Sequence, residues 1–467
     1  MNAHNVQTIK NLFMNSSDFV IKEVEVAGEK ALLCFYLSLI DASEADRQLA
    51  LIGAGAQNKI ESWGGSTSST VYPFSKEGLL KEVCTGNVVV VFPDSNLLVS
   101  ISALSVPERS PEEPKNEEVV RGAHNGFVEN FNRNIGLLRK KMQRPDLVVR
   151  SYQQENSNSQ INLVYLDKAA PPEVVAEVDL RLQNIPFREF YSTGQLEDYL
   201  EDTIFSPFPQ FLNTERPDRV VYNLLEGKVV LFSDSSPTAL IAPVNFFAFY
   251  ESPDDFNSRV VVGSFYRMVR LMAFFVAILL PAFYISVVSF HSEILPLDLS
   301  KHLMDLLKEV PYRPLVEALI LELFIELIRE ASVRLPQRIG QTVGIVGGIV
   351  IGDAIVSSGL VTNLMVIVVA MTAIASFVVP SAEMNMAVRI LRFPFMILAA
   401  SFGFLGMVFG TLLLFIHLLN LSSLKQPYLT PVIPFDPSRF KDIFFRVPFF
   451  RPDRQQPTFQ FRKGRDK

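Results

Sequence analysis

The chain has 467 residues, enough for two or three domains, and 49% of them are apolar. Its net charge of −6 averages three unlike parts: −13 over residues 1–258, +1 over 259–424 and +6 over 425–467. The two cysteines, Cys34 and Cys84, sit in apolar surroundings and argue against a disulfide framework.

They read instead as buried, inert thiols in a reducing cytosol. Met1 to Lys10 lacks the apolar run of a signal peptide, so the N-terminal region is expected to stay cytoplasmic. Residues 1–106 read as an α/β subdomain. Lys30 to Ile40 and Asn87 to Phe92 are short β-rich runs, with helical patterns at Gln48 to Ile60 and Ser75 to Val83 between them. Residues 107–120 are rich in proline and glutamate and read as a linker.

A second α/β subdomain is expected over 121–258. Asn130 to Met142 reads as a helix whose last turn carries Arg139, Lys140 and Lys141, cations suited to a helix C-terminus. Leu147 to Tyr152 and Ile161 to Leu166 are strands, and Pro172 to Gln183 is a helix with proline at its start. Val220 to Phe232 reads as a hairpin around Glu226-Gly227, followed by a strand at Ala239 to Pro243. The two subdomains show no convincing sequence repeat.

Residues 259–424 carry the long apolar runs of a helical transmembrane domain. Leu271 to Phe290 is a run of twenty residues without a charge, roughly the 30 Å of a hydrocarbon core at about 1.5 Å per residue. Arg259, Arg267 and Arg270 place its N-terminal flank inside, and Pro281 is expected to kink it. Leu315 to Ala331, Ile339 to Val356, Leu360 to Val379 and Phe393 to Leu419 follow. The basic tail, 425–467, favours a cytoplasmic C-terminus and an even number of crossings. Four crossings, with one segment re-entrant or lying along a pore, are therefore expected.

Within the third of these segments Gly340, Gly344, Gly348 and Gly352 recur every four residues, with Gly347 beside them. In water each such glycine costs about 1 kcal/mol against alanine. Between membrane helices the bare strip permits close approach. It serves either as plain packing or as the wall or support of a pore, where Val346 and Val350 would form an apolar constriction. Asp353 ends the strip, either meeting a cation or arginine or acting as a cap. In the preceding segment Glu317, Glu322, Glu326 and Glu330 lie among leucines and isoleucines. Glu326 and Glu330 have Arg329 and Arg334 within one turn. Glu322 has no such neighbour and is the first candidate for cation selectivity.

These residues also carry a resemblance. Arg334-Leu335-Pro336, the run Ile339 to Gly348 and Ile351-Gly352-Asp353-Ala354 resemble the core motif of the A subunit of GerA-type spore germination receptors. Arg121-Gly122, Gly126-Phe127, Glu129-Asn130, Asn134-Ile135 and Leu137-Leu138-Arg139 are similar to the family's central motif. Leu391-Arg392-Phe393-Pro394, Pro427 to Pro431 and Arg446-Val447-Pro448 agree as well, so the likeness runs from about residue 20 to 452. The chain departs at Ala123, His124 and Asn125, where the family usually has proline, arginine and glutamate.

The resemblance implies a multi-pass protein of the spore inner membrane, acting with a transporter-like, nutrient-binding B subunit and a C lipoprotein. It implies homo-oligomers, proposed as pentamers, that form a nutrient-gated ion channel. Two other classes stay open: a secondary transporter with a midplane site, and a membrane signalling scaffold without a pore. An enzyme has no support, since no nucleophile–base pair or phosphate-binding glycine loop is present. Five histidines without ligand spacing point to no metal, and no cofactor is expected. The basic tail suits anionic lipid headgroups or a partner subunit better than nucleic acid.

Overall fold

The computed structural model describes residues 3–26, 29–40, 69–102, 117, 125–153, 160–185, 193–234, 236–335, 348, 350 and 352–445. The helical pattern at 48–60, nearly all of the linker and the basic tail from 446 onward lie outside the described residues.

The first α/β unit runs α1 (Ala3–Leu12), β1 (Phe19–Val26), β2 (Glu29–Tyr36), β3 (Ser69–Pro73), α2 (Lys76–Cys84), β4 (Asn87–Phe92) and β5 (Leu97–Ser102). The second runs α3 (Phe131–Met142), β6 (Leu147–Gln153), β7 (Gln160–Leu166), α4 (Pro172–Asn184), α5 (Thr193–Leu200), β8 (Leu212–Thr214), α6 (Pro217–Leu225), β9 (Val229–Ser233) and β10 (Ala239–Ala242). Each builds one antiparallel five-stranded sheet, ordered β1-β2-β4-β5-β3 and β6-β7-β9-β10-β8. The order is the same in both, so the fold repeats where the sequence shows no convincing repeat. The inner strands are apolar throughout because both faces are covered; Val88 to Val91 are all buried. At the edge, β1 alternates lysine and glutamate with valine, as a half-solvated strand does.

One expected hairpin is a helix. Residues 217–225 form α6, started by Pro217 at its first position, and Gly227 at φ 84° turns the chain into β9. The same device recurs in the first unit, where Gly86 at φ 91° joins α2 to β4. Only glycine adopts that backbone without strain.

The helical part opens with α7 (Pro253–Asn257), held by a capping box between Ser252 and Asp255. It continues with α8 (Val260–Phe290), α9 (Leu297–Glu309), α10 (Pro314–Arg334), helical turns at 352–357, α11 (Asn363–Phe377), α12 (Ala382–Phe402) and α13 (Phe404–Asn420). A short α14 (Pro437–Phe444) closes the described chain. Among the described residues two helices, α8 and α12, are long and apolar enough to cross a membrane; α11 and α13 are shorter apolar helices.

The segment expected as one span from Phe393 to Leu419 breaks at Gly403, which has φ 60°. Helices α12 and α13 then fold back on each other. A Cβ at Gly406 would strike the Leu398 carbonyl, and one at Gly410 would lie 3.0 Å from the Phe395 ring. Glycine is what allows these two backbones to approach so closely. The turn abuts the end of α8, with Gly403 against Phe290 and His291.

The two α/β units are joined at a fully buried ion pair. Arg139 donates from Nε to Asp18 Oδ2 and from Nη2 to Asp18 Oδ1, both at 2.6 Å, with its guanidinium 3.6 Å over the Tyr36 ring. Ser16 and Ser38 hydroxyls donate to the same carboxylate at 2.7 and 2.9 Å. Burial would raise the Asp18 pKa, but Arg139 and these hydroxyls outweigh it and hold it below 3.8. Gly136 lets α3 pass directly over the Ser38 carbonyl.

Replacing Asp18 by Asn leaves Arg139 buried and unpaired. The expected loss in full-chain unfolding in detergent is about 3–5 kcal/mol. Because the folded pKa is lowered, the wild-type advantage is complete above the ordinary value of 3.8 and fades as pH falls through the lower, folded one. An unchanged unfolding midpoint at neutral pH would contradict this account of the joint.

Candidate functional site

The most unusual chemistry lies inside the helical bundle. Glu322 and Glu326 are one turn apart on α10, and Arg389 and Arg392 one turn apart on α12, so each pair shares a helix face. The faces meet. Arg392 forms an ion pair with Glu322, and both side chains are at most 2% exposed. Arg389 Nη1 donates to Glu326 Oε2 at 2.9 Å, while Glu326 Oε1 faces Arg329 at 3.5 Å.

Arg392 also reaches a third helix, donating from Nε to the Ala277 carbonyl of α8 at 3.1 Å. That carbonyl lies four residues before Pro281, which has no N–H to give it. The proline thus frees an acceptor deep in an apolar helix, and the arginine satisfies it. One guanidinium thereby ties α8, α10 and α12 together.

Two further contacts continue the row along α10. Arg329 Nη2 donates to Ser376 Oγ on α11 at 3.3 Å and lies 4.5 Å over the Phe377 ring. Toward the start of α10, Glu317 Oε2 accepts from the Thr362 backbone at 2.9 Å and its hydroxyl at 3.1 Å. Thr362 caps α11 and stands 3.4 Å from the Tyr284 hydroxyl of α8. Among the described residues, Glu317 Oε1, Glu322 Oε1 and Arg392 Nη2 have no hydrogen-bond partner, so the row is polar beyond its ion pairs.

The sequence-predicted residues fall into two groups. Glu322 lacks a partner only along its own helix; Arg392, seventy residues later, supplies one, and the carboxylate is buried rather than presented to solvent. Glu326 is paired as the in-helix alternative had it, and Glu330 meets Arg334 at 2.6 Å in an exposed pair. Val350 is 60% exposed, and a Cβ at Gly348 or Gly352 would meet none of the described residues within 4 Å. Asp353 is exposed, with no ion pair or hydrogen bond of its side chain found among the described residues. Gly340, Gly344, Gly347 and Val346 lie outside the described residues.

Arg267, Arg270, Arg389 and Arg392 are the ion-paired side chains that spacing along the chain did not bring into the candidate site. For Arg389 and Arg392, a guanidinium in an apolar helix demands a carboxylate, and α10 carries the matching ones. That was the available signal.

The bundle is fastened to the second α/β unit at both of its ends. At the start of α8, Arg270 Nη1 donates to the Tyr250 carbonyl at 3.3 Å and Arg267 pairs with Glu251 at 3.2 Å, while Asp255 of α7 accepts from Arg270 at 2.6 and 2.8 Å and from Arg267 at 3.4 Å. At the end of α13, His417 Nε2 bonds Ser206 Oγ at 2.9 Å. The chain then folds back onto the sheet unit: Ser423 Oγ donates to the Gln210 carbonyl at 2.7 Å, and the Tyr428 hydroxyl to that of Pro209 at 2.7 Å.

Between the two parts lies an acidic group. Burial, and then the nearby Glu383 at the start of α12 with Glu201 and Asp198, push the Glu197 carboxyl well above 4.5. Burial foremost pushes Glu201 up to about 7.

Comparison with known proteins follows the same outline. The family model described as Bacillus/Clostridium GerA spore germination protein matches residues 7–458. The chain is 34% identical to spore germination protein KA of Bacillus subtilis (strain 168), over 99% of this chain and 88% of that protein. It is 41% identical to spore germination protein B1 of the same strain, over 77% and 75%. It is 34% identical to spore germination protein GerLA of Bacillus cereus, over 95% and 92%. Among solved structures it resembles the N-terminal domain of the A subunit of the Bacillus megaterium spore germinant receptor GerK3. There the identity is 26% and the TM-score 0.41, covering 53% of this chain and 96% of that one.

Two outcomes are expected from the site. Arg392→Met, which strands Glu322, lowers full-chain stability by about 3–5 kcal/mol, whereas Glu330→Gln at the exposed pair changes it by at most about 1 kcal/mol. Equal effects in thermal unfolding would contradict the buried role. The raised Glu201 means that the folded protein retains a proton the unfolded chain releases near 4.5. Stability should therefore fall as pH rises from 4.5 toward 7, and Glu197→Gln with Glu201→Gln should flatten that fall. A slope identical to wild type would refute the assignment.

Proposed function

Since the chain belongs to the Bacillus/Clostridium GerA spore germination protein family, matched across residues 7–458, we propose that it serves as the A subunit of a spore germinant receptor. In this reading its helices lie in the spore inner membrane, with the α/β units on the cytoplasmic side. Breaking the last apolar segment at Gly403 turns the five apolar segments read from the sequence into six. An even number of passes then needs no re-entrant segment. The position of both bundle ends at one α/β unit supports that count.

The receptor would transmit nutrient binding by a B subunit, with a C lipoprotein, into ion flow through a ring of A subunits. The observation that carries the oligomer is the open face at residues 348–352. Among the described residues of the single subunit nothing would lie within 4 Å of a Cβ at Gly348 or Gly352, and Val350 is exposed beside them. A small-residue strip stabilises helix association only when another backbone reaches it, and a second copy of the chain is the fitting occupant. In a ring, Val350 would narrow the pore and oppose wetting. The burial of Glu322 against Arg392 assigns it to holding helices together, so selectivity would rest on other groups, Asp353 among them. A ring of five copies is the stoichiometry adopted from the family resemblance.

Two measurements test the reading. Gly348→Cys and Gly352→Cys should crosslink identical subunits in spore membranes; crosslinks confined within one subunit would sink the ring. Val350→Ala should raise resting cation leak from proteoliposomes and weaken the nutrient dependence of germination. Unchanged leak together with unchanged germination would rule out this residue as the constriction.

A further inference from the structure

The loop between α5 and β8 projects two apolar side chains into the open. Phe205 is 99% exposed and Ile204 62%, the former the most exposed large apolar side chain of the described residues. An isolated exposed aliphatic residue means little. This loop differs because it is firmly built. Gln210, fully buried, accepts from the backbone N–H of Asp202 and Thr203 at 2.8 and 3.1 Å and donates to the Thr203 carbonyl at 2.8 Å. Arg181 holds Asp202 at 2.5 Å, and Ser206 Oγ accepts from the Phe208 N–H at 3.2 Å. The two side chains are held outward on a rigid turn.

Its position in the fold names the occupant. Ser206, the next residue, bonds His417 in the last turn of α13, and Phe208 lies 5.9 Å from the same imidazole. Phe208 contacts Phe246, and Phe246 contacts Phe274 at 5.3 Å. Phe274 is one helical turn into α8 from Arg270, the basic residue at the polar boundary. The loop therefore stands at the level where the apolar surface of the bundle begins. In the same last turns of α13, Phe415, Ile416 and Leu419 are exposed as well, so apolar surface reaches the level of the loop. Aromatic side chains at this depth suit the boundary between headgroups and acyl chains.

We propose that Ile204 and Phe205 form a wedge inserted into the lipid surface on the side of the α/β units. The second α/β unit would thereby grip the membrane directly, besides through its helices. The inference rests on the membrane placement of α13 proposed above.

The test uses the full chain in liposomes of phosphatidylcholine, ordinary or brominated on the acyl chains. The one native tryptophan, Trp63, is removed by Trp63→Phe, and single reporters are introduced by Phe205→Trp, Ile204→Trp, Leu412→Trp on α13 or Tyr72→Trp on β3. Bromolipid should remove roughly half of the emission of Phe205→Trp or Ile204→Trp and leave Tyr72→Trp unchanged. Quenching of both loop reporters by aqueous iodide but not by bromolipid would place the loop in water and overturn the wedge. Protection from both quenchers would mean that protein covers it, which overturns the wedge equally. Leu412→Trp separates the two claims. If it is quenched and the loop reporters are not, only the wedge fails; if it is not quenched, the membrane placement fails and the wedge with it.

Discussion

A guanidinium buried among three apolar helices sets the arrangement of the whole bundle. Arg392 cannot lose its charge, and desolvating it is costly unless its partners are close and well aimed. Glu322 supplies the counter-charge and the Ala277 carbonyl a second acceptor, the latter left without its in-helix partner because Pro281 has no N–H. Each of these demands fixes a register: α12 against α10 through the ion pair, and α12 against α8 through the carbonyl. Apolar packing alone is non-directional, so in lipid it would tolerate helices sliding or rotating past each other. The polar triad does not. Arg389 and Glu326, one turn along, repeat the constraint.

The same logic extends outward through the molecule. At the start of α8, Asp255 is both the cap of α7 and the acceptor for Arg267 and Arg270. At the other bundle end, residues 421–430 return to the second sheet and bury Tyr428. The second sheet unit is locked to the first through Arg139 and Asp18. The bundle is thus tied to the α/β units through directional polar contacts. The acidic group of Glu197, Glu201 and Glu383 sits at that seam, where like charges make the contact sensitive to protonation.

How much of this was legible in the sequence depended on whether a cause was local. The buried inner strand Asn87 to Phe92 announces itself by a continuous apolar run. Edge strand β1 does not, because its charges mimic a solvated loop. The stretch Val220 to Phe232 misled because its valines suit strands, while Pro217 five residues before Tyr222 was the real signal for a helix start. The repeat of the two units was visible only as a helix, a glycine and a valine pair, at Gly86-Asn87-Val88-Val89 and Gly227-Lys228-Val229-Val230. Glu322 was read without a partner because spacing rules search four residues, and its partner is seventy away. The glycine strip was legible in the sequence as a bare face; of its five glycines only Gly348 and Gly352 fall among the described residues, and a Cβ there would meet none of those within 4 Å.

The account turns on Glu322 and Arg392 acting as one unit, which a double-mutant cycle measures directly. Full-chain unfolding would be compared for Glu322→Leu, Arg392→Met and the two combined, with nutrient-triggered germination followed in spores carrying each variant. The account predicts that either single change is more damaging than the joint change, with a coupling of at least about 1–3 kcal/mol, and that the joint variant recovers part of the germination response. Losses that simply add, with no recovery in the joint variant, would contradict it.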